Sequence, residues 1–197
     1  MRYILRWSLT QGPKCIALLV GCAMTLQGVV PQGWHLAGSK PESYEAGTDS
    51  QAAYNDHPSA YLKSTEAVSN GFGTLMQEFA ADKYAGKRLC LSAFVKSEDI
   101  KDWAGLWMRV DKGAKSVAFD NMENRSIKGT TGWQRYQVIL DVPQDATGIF
   151  FGVLLSGTGQ VWMNDVKFEV VGSDVPPTGG PGAAQRSEPV NLEFDNP

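Results

Sequence analysis

Between Gly33 and about Val171 the chain alternates apolar and polar positions with the two-residue period of strands that have one wet face. The clearest run follows a Gly-rich turn: in Gly157–Val171, Val166, Phe168 and Val170 alternate with Lys167 and Glu169. The same reading predicts strands over Ala60–Ser64, Thr74–Phe79, Lys87–Lys96, Gly105–Val110, Ser116–Asp120, Trp133–Val142, Gly148–Leu155 and Gln160–Val171. No segment sustains a helical period. A single helical turn is expected over Ala81–Ala85, stopped by Gly86. Short strands punctuated by Gly, Asn, Asp and Pro, with no internal repeat, predict an all-β fold of two antiparallel sheets packed face to face.

The flanks read differently. Residues 1–22 combine early basic residues with the apolar stretch Cys15–Met24, too short to cross a bilayer of about 30 Å as a helix, and read as an export signal. Within it Leu19-Val-Gly-Cys22 resembles a bacterial lipobox, which would make Cys22 the site of lipidation; the alternatives are ordinary cleavage nearer Gly28 or an uncleaved anchor. Residues 23–32 are expected to be a linker and 33–171 the sandwich. Residues 172–188, rich in Pro, Gly, Ser and Ala, read as a second linker. The chain then reaches residues 189–197, where Val190, Leu192 and Phe194 alternate like one more strand. The expected location is periplasmic, extracellular or membrane-anchored as a lipoprotein.

With 197 residues and 43% hydrophobic content there is material for one well-buried domain. Lys and Arg number 18 against 21 Asp and Glu, and Arg2, Arg6 and Lys14 sit in the acid-free first 21 residues. Without them, 15 bases face 21 acids, a net charge of −6, so nothing electrostatic favours nucleic-acid phosphates. Among three cysteines only Cys90 lies in the sandwich region, in a strand where a buried thiol is expected, and no disulfide framework is available.

Several pieces in order resemble the galactose-binding-like jelly rolls found among carbohydrate-binding modules. Trp34-His-Leu-Ala-Gly38 resembles the opening Trp element, and His57-Pro-Ser-Ala-Tyr-Leu-Lys63 the small-then-apolar strand. Phe79–Val95, with the Tyr84-Ala-Gly-Lys-Arg-Leu89 turn, resembles the strand, turn and long strand that follow. Gly132-Trp-Gln-Arg-Tyr136 with Val138, Leu140 and Val142, and then Gly157–Val171 with Asn164-Asp165, resemble the last elements. The resemblance implies an antiparallel two-sheet jelly-roll β-sandwich that binds a carbohydrate. The family's usual opening strand, Asn-x-Gly-Phe-Glu, is missing before Trp34, while Asn191-Leu-Glu-Phe-Asp195 stands at the far end. That suggests a permuted edge, reached by a linker that spans at most about 55 Å; a free tail or a strand donated to a neighbour are the alternatives. The resemblance also implies a structural calcium ion near Asp165 and Asp195, against the simpler reading that Asn164-Asp165 shapes a turn.

Sugar recognition needs flat aromatic surface for the apolar face of a ring and polar groups for its hydroxyls. In Gly105–Asp111, alternation places Leu106, Met108 and Val110 on one face and Trp107, Arg109 and Asp111 on the other. The second row suits a binding groove, with Trp103 at its rim and the polar loop Asp120–Arg125, Asn121 included, at its border. The plainer reading keeps Trp107 in the core and pairs Arg109 with Asp111 or Asp120. Trp34, Trp133 and Trp162 are expected to pack. Catalysis lacks its parts: His35 and His57 stand alone, no nucleophile elbow or phosphate-cradling loop is present, and Glu98-Asp99 with Asp102 read as solvated loop acids.

The expectation is therefore an exported, non-catalytic domain that binds a glycan or another envelope component, without cofactor beyond the calcium ion, and contacts a membrane only through a lipid or uncleaved signal. Similar domains are also fused behind helix-turn-helix segments in bacterial transcription regulators, so a sensor or interaction module is the alternative, with a structural envelope protein as a third. No helix-turn-helix pattern occurs in the chain.

Overall fold

A computed structural model describes residues 28–67 and 70–179. The export stretch with Cys22, the far part of the Pro/Gly-rich linker, and the 189–197 strand with Asp195 lie outside the described residues. The described strands are β1 (His35–Gly38), β2 (Tyr44–Tyr54), β3 (His57–Ser64), β4 (Phe72–Ala80), β5 (Arg88–Lys112), β6 (Lys115–Asp120), β7 (Ile127–Asp141), β8 (Gly148–Ser156) and β9 (Gln160–Val171). The only helical pieces among these residues are short 3-10 turns. One of them, Asp82–Tyr84, falls inside the expected turn and is followed by Gly86 at φ +73°.

All strand pairs are antiparallel, and β5 joins two layers. Its first part, Arg88–Glu98, lies between β7 and β9, with β3 and β2 beyond. Its second part, Trp103–Lys112, lies between β8 and β6, with β4 and β1 beyond β8. A continuous strand changes layers here because it is bulged: its register with β7 shifts repeatedly between Val95 and Ala104, and Asp99 sits at φ +54°. The sequence predicts two strands here, Lys87–Lys96 and Gly105–Val110; the intervening residues, rich in charge, resemble a loop by composition but belong to the one strand.

Two strands were not expected. β2 reads Tyr-Glu-Ala-Gly-Thr-Asp-Ser-Gln-Ala-Ala-Tyr, poor in strand formers, and is held by pairing with β3 through a tight turn at Asn55 and Asp56. Both turn residues have positive φ, 48° and 63°, as a hairpin turn matched to strand twist demands. Short β1 exists through its pairing with β4.

The two layers enclose a core of Leu62, Leu75, Leu89, Leu91, Val95, Leu106, Met108, Val110, Leu140, Ile149 and Leu155, all fully buried. Each such side chain contributes about 1.5–3 kcal/mol relative to an exposed one. Phe168 of β9 reaches across to Phe79 of β4 and Phe151 of β8 at ring separations of 5.2 and 4.8 Å, edge to face. Trp34 packs on Phe151 at 5.3 Å, as expected of a packing residue. Val170, near the end of β9, is 53% exposed, so the alternation there outruns the core by one position.

The Pro/Gly-rich segment is described as far as Gly179, and its first part is tied to the sandwich. Arg88 pairs with Asp141 at 2.7 and 3.0 Å and donates from Nη1 to the carbonyls of Ser173 and Val175. Further on, the Thr178 amide donates to the Ile139 carbonyl at 2.9 Å, and the Ile139 amide donates to Thr178 Oγ1 at 2.7 Å. These bonds lie along β7, whose other side pairs with β5.

Candidate functional site

Alternation along β5 sends Leu106, Met108 and Val110 into the core, so Trp107, Arg109 and Asp111 line the outer face of the β1-β4-β8-β5-β6 layer. Register then fixes their neighbours. Met76 of β4, Gly152 of β8 and Trp107 form one row; Phe150 of β8, Arg109 and Phe119 of β6 form the next. A Cβ at Gly152 would lie 2.2 Å from the Leu75 carbonyl oxygen, so glycine is required for β8 to run this close to β4. It also leaves the middle of the first row without a side chain.

Trp107 crosses that gap. Its Nε1 donates to Thr74 Oγ1 on β4 at 2.7 Å, while the Thr74 hydroxyl donates to the Val153 carbonyl at 2.9 Å. Only 6% of Trp107 is exposed, which makes the indole an anchored wall more than an open platform.

Arg109 is held on two sides. Its Nε and Nη2 donate to the two Asp111 oxygens at 2.9 Å each, and its guanidinium lies 4.4 Å above the Phe150 ring. The pairing with Asp111 foreseen as the plain alternative therefore forms, and it orients the side chain where it lines a cavity. The guanidinium side chain stays 37% exposed, whereas Asp111 is buried. Nη1 makes no hydrogen bond among the described residues.

Together Trp107 and Arg109 border a cavity of about 290 Å³ completed by Ala37, Phe72, Thr74, Met76, Phe119 and Leu154. The lining is mostly apolar, with one oriented cation. Sequence reasoning missed the β4, β6 and β8 members. Phe72, Thr74 and Met76 do alternate with Gly73 and Leu75, but only the strand order reveals that β4 lies two strands from β5.

The other site candidates fall elsewhere. Trp103 is half-buried on the same face, opposite Ser156, but does not line the cavity. Gly105 separates it from Trp107, and there the Asn121 carbonyl and Met122 side chain come within 2.7 and 3.0 Å of where a Cβ would stand. Asn121 borders an adjoining concavity of about 440 Å³ with Asp120, Glu123, Asn124, Thr178 and Gly179. Phe119 lines both spaces and is 38% exposed.

Asp120 ties that border together. Its carboxylate accepts from Arg125 at 3.0 and 2.6 Å, from Thr178 Oγ1 and from the Met122 amide. Burial pushes the Asp120 carboxyl up, but the bonds from Arg125, Thr178 and Met122 outweigh it and hold the group below the usual carboxylate range.

On the opposite layer, Trp162 donates to Asp49 Oδ2 at 2.8 Å, and this bond leads the forces that lower the Asp49 carboxyl. Asp165 accepts from Lys167 Nζ at 2.8 Å and has φ +50° at the place where the β5–β9 register shifts. Asn164 donates to the His57 and Pro58 carbonyls, so Asn164-Asp165 shapes a bulge and joins β9 to β3. Among the described residues no group of three His, Cys, Asp or Glu side chains is placed to hold a metal ion. Cys90 is buried, and burial raises its thiol. No described helix is long and apolar enough to cross a membrane.

No family model matches the chain. An uncharacterized HTH-type transcriptional regulator of Bacillus subtilis, YbfP, is 50% identical over 168 residues, covering 83% of this chain and 57% of the relative. The chain thus spans a little over half the length of that curated relative. Among solved structures, the enzymatically active domain of bacteriophage CBA120 tailspike protein 4 matches with a TM-score of 0.52 at 15% identity, over 71% of this chain and 20% of that one. The C-terminal family 22 carbohydrate-binding module of Clostridium thermocellum Xyn10B matches with a TM-score of 0.50 at 16% identity, over 73% of this chain and 90% of the module. The two structural likenesses establish the fold, an antiparallel jelly-roll β-sandwich, and fold alone does not choose between a binder and an enzyme.

Proposed function

We propose that this chain is a non-catalytic binding domain that takes a carbohydrate, or another polar envelope ligand, in the cavity bordered by Trp107 and Arg109. The observation that carries the reading is Arg109, fixed by Asp111 and Phe150 so that a guanidinium is presented beside apolar and aromatic walls. A sugar ring offers an apolar face to such walls and hydroxyls or a carboxylate to such a cation. The likeness to a carbohydrate-binding module supports the same reading. In this proposal the N-terminal stretch serves export, with Cys22 as the point of lipid attachment.

A glycan array tests it with wild type, Arg109→Gln and Trp107→Ala. Binding by wild type that falls in Arg109→Gln supports the cavity as the site. Silence across the array, or binding untouched by either change, removes it. The relative named as a transcription regulator favours a second reading, in which the same jelly roll is a sensor or interaction module. A pull-down from cell extract that returns a regulator protein in place of a glycan would favour that reading.

A further inference from the structure

We propose that the concavity beyond Phe119 is a second saccharide subsite, and that Thr178 and Gly179, at the end of the strap Ser173–Gly179, build one of its walls. The inference rests on the carbohydrate reading and extends it from one sugar unit to a chain laid across Phe119.

The chemistry of the second space complements that of the first. The cavity at Trp107 is mostly apolar, whereas the adjoining one is bordered by Asn121, Glu123 and Asn124. Asn121 Oδ1 accepts from the Glu123 amide, and Asn124 Oδ1 accepts from Arg125. The two amide nitrogens and the Glu123 carboxylate make no hydrogen bond among the described residues, which leaves donors and an acceptor for sugar hydroxyls. Phe119 stands between the spaces as the aromatic surface that both share.

Thr178 and Gly179 of the strap complete the lining. Thr178 is fixed through its amide to Ile139, through its hydroxyl to Asp120, and by the Ile139 amide. Gly179 then passes so close that a Cβ would stand 2.5 Å from the Phe119 carbonyl oxygen and from the Asp120 side chain. Pro176 and Pro177 restrict the chain that delivers these residues and so lower the entropy cost of seating it. A segment seated this closely is part of the surface. Releasing it would remove a wall of the second space and leave the first intact.

The test is a ladder of β-1,4-linked xylose and galactose oligomers, from one unit to six, titrated calorimetrically into wild type, Asn124→Ala, Glu123→Gln and Thr178→Val. The expected result is a gain of about tenfold in affinity from one unit to three in wild type, with most of that gain lost in each variant. Asn124 and Glu123 lie on an exposed turn, so their variants decide the matter if Thr178→Val does not fold. Affinity that ignores chain length, or a gain preserved in Asn124→Ala and Glu123→Gln, overturns the subsite while the first cavity stands. No binding of any rung overturns the subsite, and silence across the glycan array as well overturns both.

Discussion

Trp107 on β5 and Thr74 on β4 hydrogen-bond across an intervening strand, with Nε1 2.7 Å from Oγ1 and Gly152 of β8 in the row between. The bond satisfies a buried indole N–H and pins the wall of the cavity. Thr74→Val keeps the shape and removes the acceptor. It is expected to cost about 1–3 kcal/mol in urea unfolding, and Thr74→Ser much less, because an unsatisfied buried donor carries its full desolvation penalty.

Arg109→Gln tests orientation separately from packing. Truncation leaves the buried Asp111 carboxylate without its bidentate partner, and a stability loss of about 1–3 kcal/mol is expected. Asp111→Asn should recover part of that loss in the double variant. Ligand affinity should not recover, since no cation faces the cavity. Denaturation and titration on the same four proteins separate the two effects.

Gly152→Ala is expected to destabilise by about 3 kcal/mol, at the upper end of overpacking costs, because the new methyl meets backbone that cannot rotate away. Gly132→Ala has open space at the same atom and serves as the control; its melting temperature should stay near wild type.

The strap should loosen in acid. The Asp120 carboxyl is held below its ordinary value of 3.8, so its ionised form contributes fully above that pH, and the contribution is lost as pH falls through the lower folded-state value. Wild type should therefore lose melting temperature more steeply below about pH 4 than Asp120→Asn does. At pH 7 the variant should be the less stable by about 1–3 kcal/mol, and exchange at the Thr178 amide should be faster. Equal slopes for the two proteins would rule out Asp120 as the anchor.

Legibility differed by element for physical reasons. Alternation alone puts Leu106, Met108 and Val110 on one face, because strand side chains repeat every two residues; that this face is the core is a fact of the packing. β2 escaped notice because Gly47, Asp49 and Ala52 carry little strand preference; its pairing with β3 comes from the Asn55–Asp56 turn, a local signal that was there to be used. β5 reads as two strands because Glu98, Asp99, Lys101 and Asp102 are charged and exposed where the strand is bulged. Of the candidate residues, Trp107 and Arg109 line the cavity, Trp103 stands on the same face outside it, and Asn121 borders the adjoining concavity.

Legible in the chain alone were the all-β sandwich and the division of β5 into one row with Leu106, Met108 and Val110 and another with Trp107, Arg109 and Asp111. These follow from short-range periodicity, which any reader of the chain can count. The folded chain alone shows that the first row is buried, that Thr74, Met76, Phe119 and Leu154 join Trp107 and Arg109 around a cavity, and that Thr178 reaches Asp120. Such meetings depend on strand order and on where a bulged strand changes layers, and those are settled by the packing of the whole core.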